Sequence, residues 1–352
     1  MKRIFKNRPK VALMMIPFVK IPLKDAQKVK KALLEEDAFE QQYHYIKEDG
    51  FIYYPINKNW KKLGLEYETV QKAGKKINKP KSLKKALSST FSDKELEDLK
   101  RSYDTIGTIA VLEIDDELRP KEDIIAKTLL ETNKQIKTVV AKDGIHEGEF
   151  RKQSHRYLAG EKTFLTVHKE NGCSLYVDVN ATYFSPRLST ERKRIAELIK
   201  PGEKVLVMFS GCGPYPCVFA KNTQAKLIVG VEKNPEAHDL GLRNIELNKL
   251  KNVELHCGDV ISTVSKLGKF DRVLMPLPKS AEDFLSVGIP ALKKGGTLHF
   301  YDFLHEELFE DAKAKITKAC RSLKRHADFV TVVRCGQHAP HIYRICVDAV
   351  LE

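Results

Sequence analysis

The chain has 352 residues, of which 42% are hydrophobic and 31% are charged. This composition is typical of folded domains and excludes a largely disordered chain. The length predicts two or three domains, one of them a nucleotide-binding domain of about 170 residues. No apolar stretch approaches the roughly 18 residues that a membrane span requires. The sequence therefore predicts a soluble globular protein that does not contact a membrane.

Lys and Arg together number 61 against 47 Asp and Glu, which gives a formal net charge of +14. A nucleic-acid partner would match this charge, but a lysine-rich solvated surface would produce the same balance. The 7 cysteines form an odd set without a Cys-x-x-Cys pair. Neither a disulfide framework nor a zinc site is indicated. We expect reduced thiols, no bound metal and a cytoplasmic location.

The N-terminal segment predicts a small α/β unit. It contains an extended stretch, VALMMIPFVKIPL, a helix from Ala26 to Leu34, and two short strands around Asp49 and Gly50. The basic start resembles a signal peptide, but Pro17 interrupts its apolar run and no cleavage pattern follows. The lysine-rich stretch 71–86 is predicted to be a linker, with an RNA contact as the alternative.

A second unit begins near residue 94 and predicts an α+β module. Its segments are a helical SDKELEDLKRSY, a β-rich TIGTIAVLEI, a helix EDIIAKTLLETN, a strand KTVVAK, and two strands joined by a hairpin turn at Asn171 and Gly172. The remaining chain alternates helices and strands, which indicates a doubly wound parallel sheet closed by an antiparallel hairpin edge. We place the domains at 1–93, 94–180 and 181–352.

Three successive strand ends of the third unit carry residues suited to a nucleoside. Gly211 and Gly213 occupy the turn after the first strand, where they permit a close backbone approach to a ligand. Glu232 ends the next strand and is positioned to accept hydrogen bonds from two ribose hydroxyls. Asp259 and Val260 follow the third strand and are positioned to meet an adenine. The carboxyl ends of parallel strands share one edge, so these residues are expected to converge.

S-adenosylmethionine is favoured over NAD as the cofactor because the loop lacks the third glycine that seats a pyrophosphate. A simple tight turn without a ligand is the structural alternative. The neighbouring cofactor contacts that we expect are Phe209, Ser210 and Lys233.

Several stretches of the chain are distinctive: SYDTIGTIAVLEI, GEFR, TVHKENG, YFSPRLSTERKRI, MFSGCGPYP, VEKNPEA, NIELNKL, DRVLMPLPKSA and HFYDF. With these stretches the chain resembles the archaeal and eukaryotic tRNA (guanine-N1)-methyltransferases that act at position 37, beside the anticodon. The similarity extends over nearly the whole sequence. It implies a class I Rossmann-like methyltransferase domain, a small N-terminal α/β domain that reaches the tRNA elbow, and a middle α+β domain. It also implies tRNA as the partner, and we expect a monomer.

The resemblance implies that Glu191 is the general base and Arg151 the stabiliser of the transition state. Chemistry supports both roles, since guanine N1 must lose its proton before it attacks a sulfonium, and a cation steadies the charge that grows on O6. A cap at the helix start or an exposed ion pair is the alternative role for Glu191. The resemblance further implies that Arg192 contacts the cofactor and that Tyr183 and Arg187 shape the pocket.

Two departures from the family pattern bear on specificity. Where most members have Asn-Leu-Pro, this chain has Pro276, Leu277 and Pro278, and where most have an Asp it has Val207. Pro276 is expected to line both the cofactor and the base, and Pro278 is expected to line the base. Pro276 has no side-chain amide with which to orient a purine. With a proline at this place, together with the stretches PYP and HFYDF, the chain resembles the archaeal subgroup that also methylates carbon-7 of 4-demethylwyosine. Aminocarboxypropyl transfer in wyosine synthesis, or a catalytically weak tRNA-binding protein, are the alternative functions.

Overall fold

The structure, a computed structural model, describes residues 14–76, 83–99, 103–147, 152–277 and 279–352. The chain divides into two units, Met1–Lys81 and Ser82–Glu352. The strands are β1 (Met14–Pro22), β2 (Ile46–Glu48), β3 (Phe51–Pro55), β4 (Thr69–Gly74), β5 (Asp104–Ile106), β6 (Ile109–Leu112), β7 (Thr138–Glu147), β8 (Lys152–Gly160), β9 (Leu165–Glu170), β10 (Cys173–Asp178), β11 (Lys204–Met208), β12 (Leu227–Glu232), β13 (Val253–Cys257), β14 (Phe270–Met275), β15 (Leu292–His305), β16 (Ala327–Ala339) and β17 (Ile342–Leu351). The helices are α1 (Ala26–Glu35), α2 (Leu83–Leu87), α3 (Asp93–Asp98), α4 (Glu122–Thr132), α5 (Ser189–Leu198), α6 (Pro214–Asn222), α7 (Pro235–Leu247), α8 (Val260–Val264), α9 (Leu285–Ala291) and α10 (Phe309–Ser322).

The first unit is an antiparallel sheet in the order β2-β3-β1-β4, with α1 packed on it through Val29 and Leu33. The predicted helix and the two predicted short strands are present. The predicted linker differs, because residues 71–74 belong to β4 and pair with β1. Side chains on β4 alternate between exposed and half-buried, and the strand lies at the edge of the sheet. An edge strand of this kind carries polar residues, so its sequence lacks the apolar alternation that predicts a strand. Residues 77–82 of the predicted linker lie outside the described part.

The middle module of the second unit is a sheet in the order β5-β6-β7-β8, in which β6 and β7 are parallel. Its core includes Leu87 and Phe91 together with Ile125 and Leu129 of α4. Residues 83–93 therefore pack with this module, and the division between the two units falls before Ser82. The predicted single β run splits into β5 and β6, because Gly107 turns the chain with a φ of +55°.

The largest sheet, counted over the described residues, has seven strands in the order β13-β12-β11-β14-β15-β17-β16. The first five are parallel, and β17 and β16 form the predicted antiparallel edge. Val205, Leu206, Val207 and Met208 of β11 are fully buried, since helices cover both faces of the sheet. The doubly wound prediction is thus confirmed.

The hairpin of β9 and β10 is attached to the largest sheet by α7. Asn171 and Gly172 turn it with φ values of 43° and 77°, as the Asn-Gly signal predicts. The side chains of Asn244 and Asn248 bond to the backbone of Tyr176 and Ser174 on β10. All seven cysteines are free thiols. Among the described residues, no helix has the length and apolar character needed to cross a membrane.

Candidate active site

The turn after β11 is held in a tight left-handed conformation. Phe209, Gly211 and Gly213 have φ values of 60°, 56° and 79°. The amide of Ser210 donates to the carbonyl oxygen of Val231 at 2.9 Å, which ties the turn to the neighbouring strand. A Cβ on Gly211 would lie 3.7 Å from the Thr182 hydroxyl, so the positive φ and not a lack of space favours glycine there. The turn is therefore preformed for a ligand that approaches the main chain.

Glu232 at the end of β12 is locked by this turn. Its two carboxylate oxygens accept the amides of Gly211, at 2.7 Å, and Asn234, at 2.8 Å. Burial raises the pKa of the Glu232 carboxyl above its ordinary value. The backbone amide of Lys233 also bonds to this carboxylate. Of its about four acceptor positions, one therefore remains for a ribose hydroxyl.

Asp259 caps α8 and lies beside Lys233. Its Oδ1 accepts the amide of Ile261 at 2.8 Å, and its Oδ2 accepts the Lys233 ammonium at 2.8 Å. The bond from Lys233 lowers the pKa of the Asp259 carboxyl. Val260, the next residue, is buried. Two predicted contacts, Lys233 and Asp259, are thus brought together at the edge that also carries Glu232.

Ser210 and Gly230 provide the test of whether a nucleoside fits this edge. The Ser210 hydroxyl is buried and has no hydrogen-bond partner among the described residues. A Cβ on Gly230 would lie 2.4 Å from Leu255 and 2.9 Å from the Ser210 hydroxyl, so a larger residue there would displace both side chains. A buried hydroxyl without a partner is costly. A polar ligand over the turn would satisfy it, and the residues present fit an adenosine.

Glu191 lies in the interior, with 4% of its side chain exposed. Tyr301 of β15 donates its hydroxyl to Oε1 at 2.7 Å, and Arg194 donates Nε to Oε2 at 2.7 Å and Nη2 to Oε1 at 2.8 Å. The residue that caps α5 is Leu188, without a side-chain bond. Glu191 is therefore neither a helix cap nor an exposed ion pair.

Arg194 connects Glu191 to a buried polar chain across β17 and β15. Its Nη1 donates to Asp348 at 2.6 Å, and Asp348 also lies 2.6 Å from Nδ1 of His299. Nη1 of Arg272 lies 2.6 Å from Nε2 of His299. A guanidinium only donates, so Nε2 accepts and the proton of a neutral ring is on Nδ1. Burial lowers the pKa of the His299 imidazole, in agreement with this tautomer.

His299, Cys346 and Asp348 have the residue types of a metal site, with ligand atoms within 4.8 Å of one another. Their lone pairs are already committed to Arg194, Arg272 and to one another. The guanidinium groups of Arg194 and Arg272 lie 2.6 Å from Asp348 and His299, and their positive charges would repel a metal cation bound there. The group is a hydrogen-bonded support for Arg194 and not a candidate metal centre.

Arg192 is fully buried and forms a two-point ion pair with Glu170 of β9, with Nη2 and Oε2 2.6 Å apart. Burial acts to raise the pKa of Glu170, but bonds from His168 and Arg192 outweigh it and the pKa lies below its ordinary value. The guanidinium also donates to the carbonyl oxygen of Ser185 at 3.1 Å. These contacts orient the segment before α5, and a cofactor contact of Arg192 remains a prediction.

Tyr183 and Arg187 lie on the segment that leads into α5. The Tyr183 hydroxyl accepts from Arg344 at 2.8 Å, and Arg187 pairs with Asp104 at 2.8 Å. Tyr183 thus faces the end of β17, while Arg187 ties the segment to β5. Pro276 directly follows β14 at the same sheet edge.

Arg151 and Pro278 lie outside the described residues. Val207 of β11, the second departure from the family pattern, is fully buried in an apolar cluster built from several helices and strands. A valine suits this position, because an aspartate there would place a charge inside the core.

Comparison with known proteins agrees with this geometry. Residues 166–329 match the TRM5/TYW2 methyltransferase domain, residues 83–163 the TYW2 N-terminal domain, and residues 19–63 the tRNA methyltransferase 5 N-terminal domain. The tRNA (guanine(37)-N(1))-methyltransferase Trm5b of Pyrococcus abyssi is 35% identical over 292 residues, which cover 81% of this chain and 83% of the relative. The chain belongs to the TRM5/TYW2 methyltransferase family.

Further members of the family extend the comparison. The crystal structure of wild-type Trm5b from Pyrococcus abyssi aligns with a TM-score of 0.73 at 32% identity, covering 96% of this chain and 100% of that one. The tRNA (guanine(37)-N(1))/4-demethylwyosine(37)-methyltransferase Taw22 of Nanoarchaeum equitans is 31% identical, covering 71% of this chain and 99% of its own. The structure of aTrm5 with tRNALeu aligns with a TM-score of 0.69 at 29% identity, covering 95% and 99%. The predicted family and the Rossmann-like fold are confirmed.

Several residues around Glu191 were missed by sequence reasoning. They are Tyr301, Arg194, Asp348, His299 and, further along the same face, Phe303, His338 and Arg344. One signal was present, since His299, Tyr301 and Phe303 alternate along HFYDF and therefore share a face. Their partners come from distant strands, which no local pattern identifies.

Proposed function

We propose that this chain methylates N1 of guanosine at position 37 of tRNA, using S-adenosylmethionine. The main support for this proposal is that Gly211, Glu232 and Asp259 line one edge of the largest sheet. Glu191 is held against the same sheet by its hydrogen bond from Tyr301. The names of the relatives point to the same reaction. Trm5b is named for guanine N1 and Taw22 for both guanine and 4-demethylwyosine.

The residues that would hold the cofactor are those of the turn after β11 and the two carboxylates beyond it. Glu232 would accept a ribose hydroxyl, and Asp259 with Val260 would meet the adenine. The Ser210 hydroxyl would gain the partner that the described residues do not provide. When bound, S-adenosylmethionine supplies an electrophilic methyl group on sulfur.

Glu191 is proposed as the general base. Of about four acceptor positions on its carboxylate, Arg194 and Tyr301 occupy three. The Cys335 thiol also hydrogen-bonds to this carboxylate, so guanine N1 would displace that thiol to deliver its proton. Arg194 keeps the carboxylate oriented, and Asp348 in turn orients Arg194 at 2.6 Å. Arg151 is proposed to stabilise the negative charge that develops on O6 of the base.

Carbon-7 of 4-demethylwyosine is proposed as a second acceptor. Pro276 carries no amide group, so the pocket does not require the hydrogen-bonding edge of guanine at this position. The relative Taw22, whose name gives both substrates, supports this specificity. Carbon methylation requires a base only to restore aromaticity after attack, so its dependence on Glu191 differs from that of guanine.

Aminocarboxypropyl transfer is the second candidate, because residues 83–163 match the TYW2 N-terminal domain. Against it, residues 19–63 match the N-terminal domain of tRNA methyltransferase 5. We propose that the three matched segments correspond to an elbow-reading domain, a middle domain and a catalytic domain of a monomer. Tyr183, Arg187 and Pro278 complete the proposed pocket for the base.

One experiment separates these reactions. The full chain is incubated with S-adenosylmethionine and either unmodified tRNA or tRNA carrying 4-demethylwyosine, and the nucleosides are analysed by mass spectrometry. We expect methylguanosine from the first and a methylated tricycle from the second. An aminocarboxypropyl adduct would establish the alternative, and no product from either tRNA would refute both enzymatic functions.

A further inference from the structure

A group of ring and cationic side chains lies beyond Tyr301 on the same face of the largest sheet. Phe303 follows Tyr301 by two residues on β15, so both side chains share a face. Arg344 of β17 is directly opposite Phe303, with its guanidinium carbon 5.0 Å from the ring centre. His338 of β16 stacks on the same ring, with centres 4.2 Å apart and planes 27° from parallel. We call Phe303, His338 and Arg344 the ring shelf.

His338 reaches the ring shelf through an irregularity of β16. The pairing of β16 with β17 shifts between Gln337 and Ala339, which makes His338 the extra residue of a bulge. Bulges redirect side chains and are frequent beside active sites. Burial, together with the charges of Lys279 and Arg344, lowers the pKa of the His338 imidazole. The ring is therefore neutral near pH 7, and the charges that act on it are cationic.

Arg344 keeps an unused donor at the ring shelf. Its Nη2 donates to the Tyr183 hydroxyl at 2.8 Å, whereas its Nε is buried and has no hydrogen-bond partner within the described residues. On the opposite face, Arg334 covers the Tyr343 ring at 4.6 Å in a similar way. Arg334, however, is neutralised by Glu306 at 3.2 Å. The two clusters have similar composition, but only the ring shelf presents a cation without an acidic partner in the described structure.

We propose that the ring shelf stacks the nucleobase adjoining the methylated one. This inference rests on the proposed function, because the methylated base must reach Glu191, which Tyr301 contacts at 2.7 Å. Two strand residues advance about 6.6–6.8 Å, so the shelf begins just beyond the target position. Extruding a base removes a stacking partner from its neighbour. Aromatic rings and guanidinium planes replace such stacking, and Nε of Arg344 donates to an acceptor of that nucleotide.

The test uses the full chain and unmodified tRNA with 2-aminopurine beside the target guanosine, on the 5′ side in one RNA and the 3′ side in another. Phe303→Leu removes the ring and keeps an apolar side chain, whereas Phe303→Tyr keeps the ring. Tyr343→Leu is the matched control, because it removes a ring from the opposite face of the neighbouring strand. Thermal unfolding confirms that each variant is folded.

We expect the complex of Phe303→Leu to be brighter than the parental complex with one of the two RNAs, since stacking quenches 2-aminopurine. The affinity of this variant for RNA should fall by about 5- to 150-fold. Phe303→Tyr and Tyr343→Leu should behave as the parent. Equal fluorescence of the Phe303→Leu and parental complexes with both RNAs overturns the proposal, whatever the affinity. Because fluorescence needs no turnover, the result is separable from failure of methylation, which would refute only the proposed reaction.

Discussion

The hydroxyl of Tyr301 donates a hydrogen bond of 2.7 Å to Oε1 of Glu191. The two residues come from β15 and α5 and are 110 positions apart in the chain. Arg194 also donates to the carboxylate and is itself held by Asp348. A carboxylate fixed in this way has little freedom to turn, which is the condition for a base that must meet one nitrogen.

Replacing Glu191 with Gln tests the base directly. We expect single-turnover methylation of guanine to slow by about 10²–10⁴-fold, the range for general acid–base catalysis, while cofactor and tRNA affinities are retained. Arg194 loses one of its two charged partners and keeps Asp348, so the loss of stability should stay below the about 3–5 kcal/mol of a fully broken buried pair and must be measured by unfolding. Glu197→Gln on the exposed side of α5 is the control. A parental rate for Glu191→Gln would refute the assignment.

Tyr301→Phe removes one donor to Glu191 and leaves the ring in the core. A hydrogen bond to a charged group contributes about 1.5–3 kcal/mol, so single-turnover methylation of guanine should slow roughly tenfold or more. Cofactor affinity, measured by calorimetry, should not change. Tyr343→Phe on the other face of the adjoining strand should behave as the parent, and equal rates for both variants would show that Tyr301 does not position the base.

Glu232→Ala should weaken cofactor binding by about 1.5–3 kcal/mol in calorimetry. The loss has two sources, the ribose contacts and the bonds that fix Gly211 and Asn234 at 2.7 and 2.8 Å. Glu232→Gln keeps one acceptor oxygen and should lose less. Glu254→Ala, on the exposed side of β13, is the control. Unchanged affinity in Glu232→Ala would place the cofactor elsewhere.

A shortened chain that begins at Ser82 tests the first unit. It retains Leu87 and Phe91, which are buried in the middle module, and should therefore fold and bind S-adenosylmethionine. We expect it to bind tRNA more weakly and to lose the preference for folded tRNA over an anticodon stem-loop. Binding of the full chain should fall steeply with salt, because phosphate contacts release counterions. Equal tRNA affinities at every salt concentration would exclude the first unit as an RNA reader.

The support beneath Arg194 predicts a dependence of stability on pH. Burial acts to raise the pKa of Asp348, but His299 and Arg194 outweigh it and hold the pKa well below its ordinary value. The ionised carboxylate therefore stabilises the folded state fully above about pH 4, and this contribution is lost as the pH falls further. In urea unfolding, Asp348→Asn should be less stable than the parent at pH 7, and the difference should shrink toward pH 3. Asp328→Asn, exposed on β16, is the control. A constant difference across this range would contradict the assignment.

The sequence by itself determined the parallel sheet and the residues at its carboxyl edge. Strands with both faces covered read as continuous apolar runs, and the first residues after them meet at one edge whatever the details of packing. For this reason Gly211, Glu232 and Asp259 were identified from their spacing. The edge strand β4, the second half of β7 and all of β8 were not recognised, since charged and polar residues interrupt their pattern.

Only the tertiary structure decided the surroundings of Glu191. Its position at the start of α5 is equally compatible with a cap, an exposed ion pair or a buried base, and the local sequence does not separate these. The buried position of Glu191 depends on its contact with Tyr301. It also depends on Arg194, which is held by Asp348, 154 positions further along the chain. The bulge that brings His338 onto Phe303 was also not predicted by any residue pattern. Register between distant strands sets these contacts, and register follows from packing of the whole sheet.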